Sequence, residues 1–128
     1  MTPAAYERQK NRVRKLFRRW REPLYLHEWH IDLVFEDGEF ISPDGRVSHD
    51  AAATCHALWP YRRATITFNT QHIQHMDDDE LEHTVIHEAM HILLNEMRDD
   101  SEENLDHEER VATTLAHAFQ STLGQERG

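Results

Sequence analysis

His87, Glu88 and His91 stand in the string His87-Glu88-Ala89-Met90-His91. On an α-helix the two histidines fall one turn apart on the same face, so both imidazoles reach one point while Glu88 flanks it. That is the donor pattern of a hydrolytic zinc site. Two neutral ring nitrogens and a third protein ligand anchor the ion, the fourth position is left for water, and Glu88 stands where it can take that water's proton.

A chain with 11 His and 14 Glu can produce such a string by chance, so its surroundings must carry the argument. Residues 81–95, from Leu81 to Asn95, are apolar almost all round, as in a helix buried at a domain centre. Histidines there need partners. Neutral imidazoles hydrogen-bonded to backbone or carboxylates would satisfy the pair. They would not satisfy Glu88, whose carboxylate would be desolvated beside them without a counter-charge. A bound cation removes that cost, and Zn2+ is the expected cofactor.

The elements that position these residues follow from pattern. Residues 4–21 carry Val13, Leu16, Phe17 and Trp20 at helical spacing with basic residues between them, and Pro23 ends the run, so residues 1–22 predict a basic amphipathic helix whose apolar stripe packs on a sheet. Residues 29–69 predict the sheet. Trp29 to Phe35 alternates before a turn at Asp37-Gly38, and residues 36–50, with Gly38, Pro43, Asp44 and Gly45, read as a loop or loose hairpin. Ala51 to Leu58 is a second strand of residues small enough to pack beneath a helix, broken by Pro60. Arg63 to Asn69 alternates with Ala64, Ile66 and Phe68 on one face. Asp77-Asp78-Asp79-Glu80 lacks the glycine and ligand spacing of a calcium loop and instead supplies the cap and acidic first turn of the motif helix, 78–97. A final helix over 105–123 bears Val111, Ala112, Leu115, Ala116, Phe119 and Leu123, with Gly124 as its stop. The fold class is therefore α+β, with residues 1–128 as one domain.

Charge is unevenly spread. The net charge is −10, yet the first 21 residues hold eight basic side chains against Glu7 alone. This face either pairs with the acidic body and solvent, the favoured reading, or contacts nucleic acid or another acidic partner. No run reaches the length of a membrane span, and the N-terminus lacks the apolar stretch of a secretory signal, so no membrane partner and a cytoplasmic location are expected. Cys55 has no second cysteine to pair with and reads as a small packed hydrophobe.

The chain resembles the gluzincin branch of zinc metallopeptidases, particularly minimal single-domain minigluzincins and small phage- or prophage-encoded metallopeptidases. The resemblance spans about Trp29 to Phe119 and rests on the strand Ala64 to Asn69, the segment Val85-Ile86-His87-Glu88-Ala89-Met90-His91-Ile92-Leu93-Leu94, and Glu108-Glu109-Arg110-Val111-Ala112-Thr113-Thr114-Leu115-Ala116. It implies a minimal zincin-like fold, with a three-stranded sheet, an HExxH helix and a C-terminal glutamate helix. It also implies the cytoplasm of a bacterial or phage-infected cell.

No HExxHxxGxxH continuation follows, since Asn95-Glu96-Met97 comes after Leu94, which excludes a metzincin site. A helix returning antiparallel would bring Asp106, His107, Glu108 or Glu109 to the metal. Glu108 lies near the centre of the apolar stripe and Glu109 at its edge. In the families resembled, the ligand glutamate has a small residue at +3 and apolar and small residues at +6 and +7, which Glu109 meets through Ala112, Leu115 and Ala116. Glu109 is the expected ligand. Those families often carry an acid four residues after it to orient a histidine, whereas this chain has Thr113.

The expected function is a zinc-dependent peptidase acting on peptide or protein substrates, with His87, His91 and Glu109 binding metal and Glu88 as general base. The resemblance also implies a substrate lying antiparallel along an edge strand, Arg63 to Asn69 or its neighbour. Tyr61 and His83 are candidates to stabilise the oxyanion, each with a plainer reading: Tyr61 as a turn residue before the strand Arg63 to Asn69, and His83 as a solvent-facing residue or a support for the ligands one turn before His87. Two rivals stand beside this function. One is a non-catalytic or latent zinc-binding protein, and the other is a nucleic-acid or partner-binding module built on the basic helix.

Overall fold

Thr2 starts the first helix by accepting the Ala5 N–H on its hydroxyl, with Pro3 at the first helical position, and α1 runs Pro3–Arg21. In this computed structural model, which describes residues 1–38, 40–41, 47–48, 52–97 and 102–126, α1 leads to β1 (His30–Glu36). Next come a short antiparallel pair, β2 (Phe40–Ile41) and β3 (Val47–Ser48), then β4 (Ala53–Leu58) and β5 (Arg63–Asn69). Helices α2 (Thr70–Ile73), α3 (Asp78–Leu94) and α4 (Glu102–Glu126) complete the chain. The fold class is α+β, as expected. Pro43, Asp44, Gly45 and Ala51 of the predicted loop and strand lie outside the described residues, as do residues 98–101 of the stretch between the last two helices.

The main sheet has the order β1-β5-β4, with β1 parallel and β4 antiparallel to β5. Residues opposite each other share a face. The register therefore builds three inward rows: Ile31, Ala64 and Ala57; Leu33, Ile66 and Cys55; Phe35, Phe68 and Ala53. Ala64, Ile66 and Phe68 are buried. The small residues of β4 let α3 pack directly against that strand. Because β5 is paired on both sides, Arg63 to Asn69 is the central strand. The edge that could take a peptide falls to its neighbours, and this corrects one of the two placements the sequence allowed.

Helix α3 starts on the Asp77 side chain, which accepts the Glu80 N–H at 2.8 Å, and it buries Leu81, Val85, Ile86, Ala89, Met90 and Ile92. The stripe of α1 buries Val13, Phe17 and Trp20, and its nearest backbone neighbours are α3 and α2 rather than the sheet. Trp20 donates from Nε1 to Glu82 on α3 at 3.0 Å, and Arg12 reaches the Ile73 and Met76 carbonyls and Asp78. Several of the basic residues are thus tied internally: Lys10 to Glu7, Arg12 to Asp78, Arg19 to Glu82, and Arg21 to the Trp29 carbonyl. No helix among the described residues is long and apolar enough to cross a membrane.

Both ends of the last helix differ from expectation, and α3 ends at Leu94, with a 3-10 turn over Asn95–Met97 in place of the last turn expected for residues 78–97. Helix α4 begins earlier, at Glu102, because acidic residues suit a helix N-terminus. It also continues past Gly124, where no apolar residue follows to close a glycine cap. Helix α2, set by Asn69 accepting the Gln71 N–H at 3.1 Å, had no expectation in the sequence. Helix α4 packs against α3 through Ala112 and Ala116, both fully buried. Ala116→Leu should force the two helices apart and cost about 1–3 kcal/mol in urea unfolding. An unchanged midpoint would show that the seam is looser than this packing.

Candidate metal centre

Helices α3 and α4 run antiparallel, and their facing residues form a ladder. The Asp79 carbonyl accepts from Gln120, the His83 ring lies 4.2 Å from that of His117, Thr113 lies against His87, and Glu108 against His91. The α3 members are four residues apart and share a face, and the α4 members meet them in reverse order at spacings of three to five. The centre of the ladder carries the motif.

Nε2 of His87 and Nε2 of His91 lie 3.1 Å apart, and Glu109 spans them, with Oε2 at 3.1 Å from His87 and Oε1 at 2.9 Å from His91. The opposite ring nitrogens are held from behind. His91 Nδ1 donates to Glu108 Oε1 at 2.8 Å, and Thr113 Oγ1 lies 3.3 Å from His87 Nδ1. With Nδ1 as the donor, each ring presents an Nε2 lone pair to the other. Two such lone pairs and a carboxylate in one place repel unless a proton or a cation lies among them. The donor set of two imidazoles and one carboxylate fits a divalent ion of the zinc type, and these three residues can hold a metal.

Both sequence arguments about the third ligand have a structural basis. Glu108 is buried, as its place on the apolar stripe required, yet it faces the back of His91. Glu109, 61% exposed, is the glutamate that converges with the two histidines. Thr113 occupies the position where an acid was expected and meets His87 through its hydroxyl. Asp106 and His107 are exposed and do not join the cluster. His117 went unnoticed in the sequence, although Glu109, Thr113 and His117 repeat at the same four-residue interval as His91, His87 and His83.

Burial pushes the Glu88 carboxyl up to about 7, against the pull of His91 and His87. Burial also disfavours a charged His91, but hydrogen bonds donated to Glu109 and Glu108 outweigh it and hold that imidazole above its ordinary range. Hydrogen bonds from His87 and then His91 keep Glu109 well below the usual carboxylate range. His83 is held down by burial and by neighbouring His117 and His87, and its Nδ1 has no hydrogen-bond partner among the described residues. A cavity of about 410 Å³ opens beside His83 and His117. Tyr61 is 74% exposed in the 3-10 turn after β4, and the cluster's hydrogen bonds run to other residues.

Compared with family models, with curated proteins and with solved structures, the chain matches none of them.

Two outcomes follow from this geometry. Glu109→Gln should weaken zinc binding by at least tenfold, whereas Glu108→Gln should act more mildly, through the orientation of His91; competition with a chelating dye measures both, and the reverse ranking would exchange their roles. The second concerns pH in chelator-treated protein. Glu88, raised from 4.5 to about 7, keeps a proton in the folded chain that the unfolded chain has lost, so rising pH removes stability across that window. His91, raised from 6.5, adds a loss above that value, while Glu109 is lowered and loses its contribution only in acid. The melting temperature should therefore fall between roughly pH 5 and 8, and Glu88→Gln should flatten the lower part of the fall. A melting temperature that rises over this range would contradict the assignment.

Proposed function

We propose that this chain is a zinc-dependent peptidase of the minimal gluzincin type. The observation that carries the reading is the convergence of the His87 and His91 Nε2 atoms with the Glu109 carboxylate, beside a buried Glu88 that stands outside this three-residue group. A bound zinc supplies Lewis-acid polarisation of a carbonyl and acidifies water. The protein side chains do the rest. Glu108 and Thr113 orient the two rings so that their Nε2 atoms converge with the Glu109 carboxylate. Glu88 accepts a proton from the attacking water and returns it to the departing amine nitrogen. Glu88 lies on α3 at the flank of the face that carries His87 and His91, outside the three-residue donor group.

Among the described residues β4 is an edge strand of the sheet, and α3, which carries the site, packs against it. Its outer backbone groups can receive an extended peptide, and main-chain hydrogen bonding of that kind suits a substrate of varied sequence. The paired state of much of α1 argues against the nucleic-acid reading. A zinc protein without catalysis uses the same ligands, so the role of Glu88 separates the two.

Glu88→Gln should retain zinc and fold while any hydrolysis of a peptide library falls by roughly a hundredfold or more. Mass spectrometry of long incubations reads the cleavage, and metal analysis reads the zinc. Equal cleavage by the variant would remove Glu88 from the chemistry. Zinc-loaded wild type with no cleavage at all would leave the non-catalytic reading in its place.

A further inference from the structure

A second cleft lies at the other end of the site's scaffold. It encloses about 460 Å³, within the range of ligand pockets, and Tyr25, Trp29 and Trp59 line it, three of the chain's six tyrosines and tryptophans. Two of these rings are displayed rather than packed: Tyr25 is 79% exposed and Trp59 45%. Ile92, fully buried and next in sequence to His91, belongs to the cleft wall. Trp59 follows the edge strand β4 and donates its backbone N–H to Asn95 Oδ1 at 3.2 Å. The cleft therefore continues the edge strand past its end, one turn of α3 beyond His91.

Backbone conformation singles out the same place. Among the described residues, Tyr25 (φ 58°) and Arg62 (φ 51°) are the non-glycine residues in the left-handed region, and both line this cleft. Tyr25 occupies the residue after the α1 C-cap turn, where Leu26 N–H bonds the Arg21 carbonyl and Tyr25 N–H the Glu22 carbonyl, a position at which glycine avoids the steric cost. Packing does not offset that cost, because the Tyr25 side chain is mostly in solvent. What the residue achieves is to hold a phenol ring at the mouth of the cleft.

Charge selects the ligand. Aromatic faces attract cations, and the cleft adds the carboxylates of Glu28 and Glu96. Among the described residues, Arg62 is the one cation in the lining and is tied to Glu28 at 2.6 Å, while Glu96 has no ionic partner. The net charge of −10 favours the same sign. We propose that this cleft is a recognition site for the guanidinium or ammonium side chain of a polypeptide, held between Tyr25 and the tryptophans with Glu96 as its counter-charge. The site stands independently of the metal centre, though its place beyond the end of β4 suits a peptide lying along that strand.

Tryptophan emission of the full chain, titrated with capped Gly-Gly-Xaa-Gly-Gly peptides, tests this directly. Arginine or lysine at the centre should give a saturable change that salt weakens, and neutral citrulline should give none. Tyr25→Gly should raise the melting temperature, since it relieves the left-handed strain, and weaken arginine-peptide binding by roughly three- to thirtyfold. Glu96→Gln should weaken it without a change in melting temperature. Equal response to citrulline, no saturable response to any peptide, or undiminished binding by both variants would overturn the proposal.

Discussion

The antiparallel register between α3 and α4 is the constraint on which the rest depends. His83, His87 and His91 present one side chain per turn, and His117, Thr113 and Glu108 meet them in reverse order. A slip of one turn would leave both ring backs without acceptors and carry Glu109 away from the two Nε2 atoms. Alanines at 112 and 116 hold the register by letting the helices approach closely, and the cap at Asp77 fixes where α3 begins. The sheet contributes by supporting α3 from beneath, on strand residues small enough to leave it room.

Electrostatics explains why such a seam needs an ion or protons. Glu88, Glu108 and Glu109 bring three carboxyl groups around two imidazoles, and the first two are buried. Removing carboxylates from water without compensation is costly. On the opposite side of α3 the compensation is internal, because Trp20 and Arg19 both reach Glu82. The basic helix at the N-terminus therefore does much of its work inside the molecule, neutralising and anchoring the helix that carries the motif. On the side of α3 that carries the motif, the two imidazoles lie among the carboxyl groups and can accept a proton or a cation.

Much of this architecture was legible because periodicity reports burial. The alternation of Ala64, Ile66 and Phe68, the apolar wrap of residues 81–95 and the stripe from Ala112 to Leu123 each marked an element that the structure contains. Strand order was not legible, since a central strand and an edge strand covered on one face alternate alike. That is why β5 remained a candidate edge until its two partners were seen. The choice between Glu108 and Glu109 was hard for a physical reason: the buried acid and the converging acid are adjacent, and each satisfies one of the two criteria. His117 escaped because a lone histidine on a helix carries no signal until the facing helix is in register. The cleft at Tyr25 escaped for a similar reason, as residues from the end of α1, the end of β4 and the end of α3 form it jointly.

The central claim is that His87, His91 and Glu109 form a metal site, and metal content of the freshly purified full chain tests it most directly. Elemental analysis should find about one zinc per chain, with His87→Ala and His91→Ala each lacking it and melting at lower temperature than the zinc-loaded protein. Unchanged zinc stoichiometry and full stability in both variants would contradict the account.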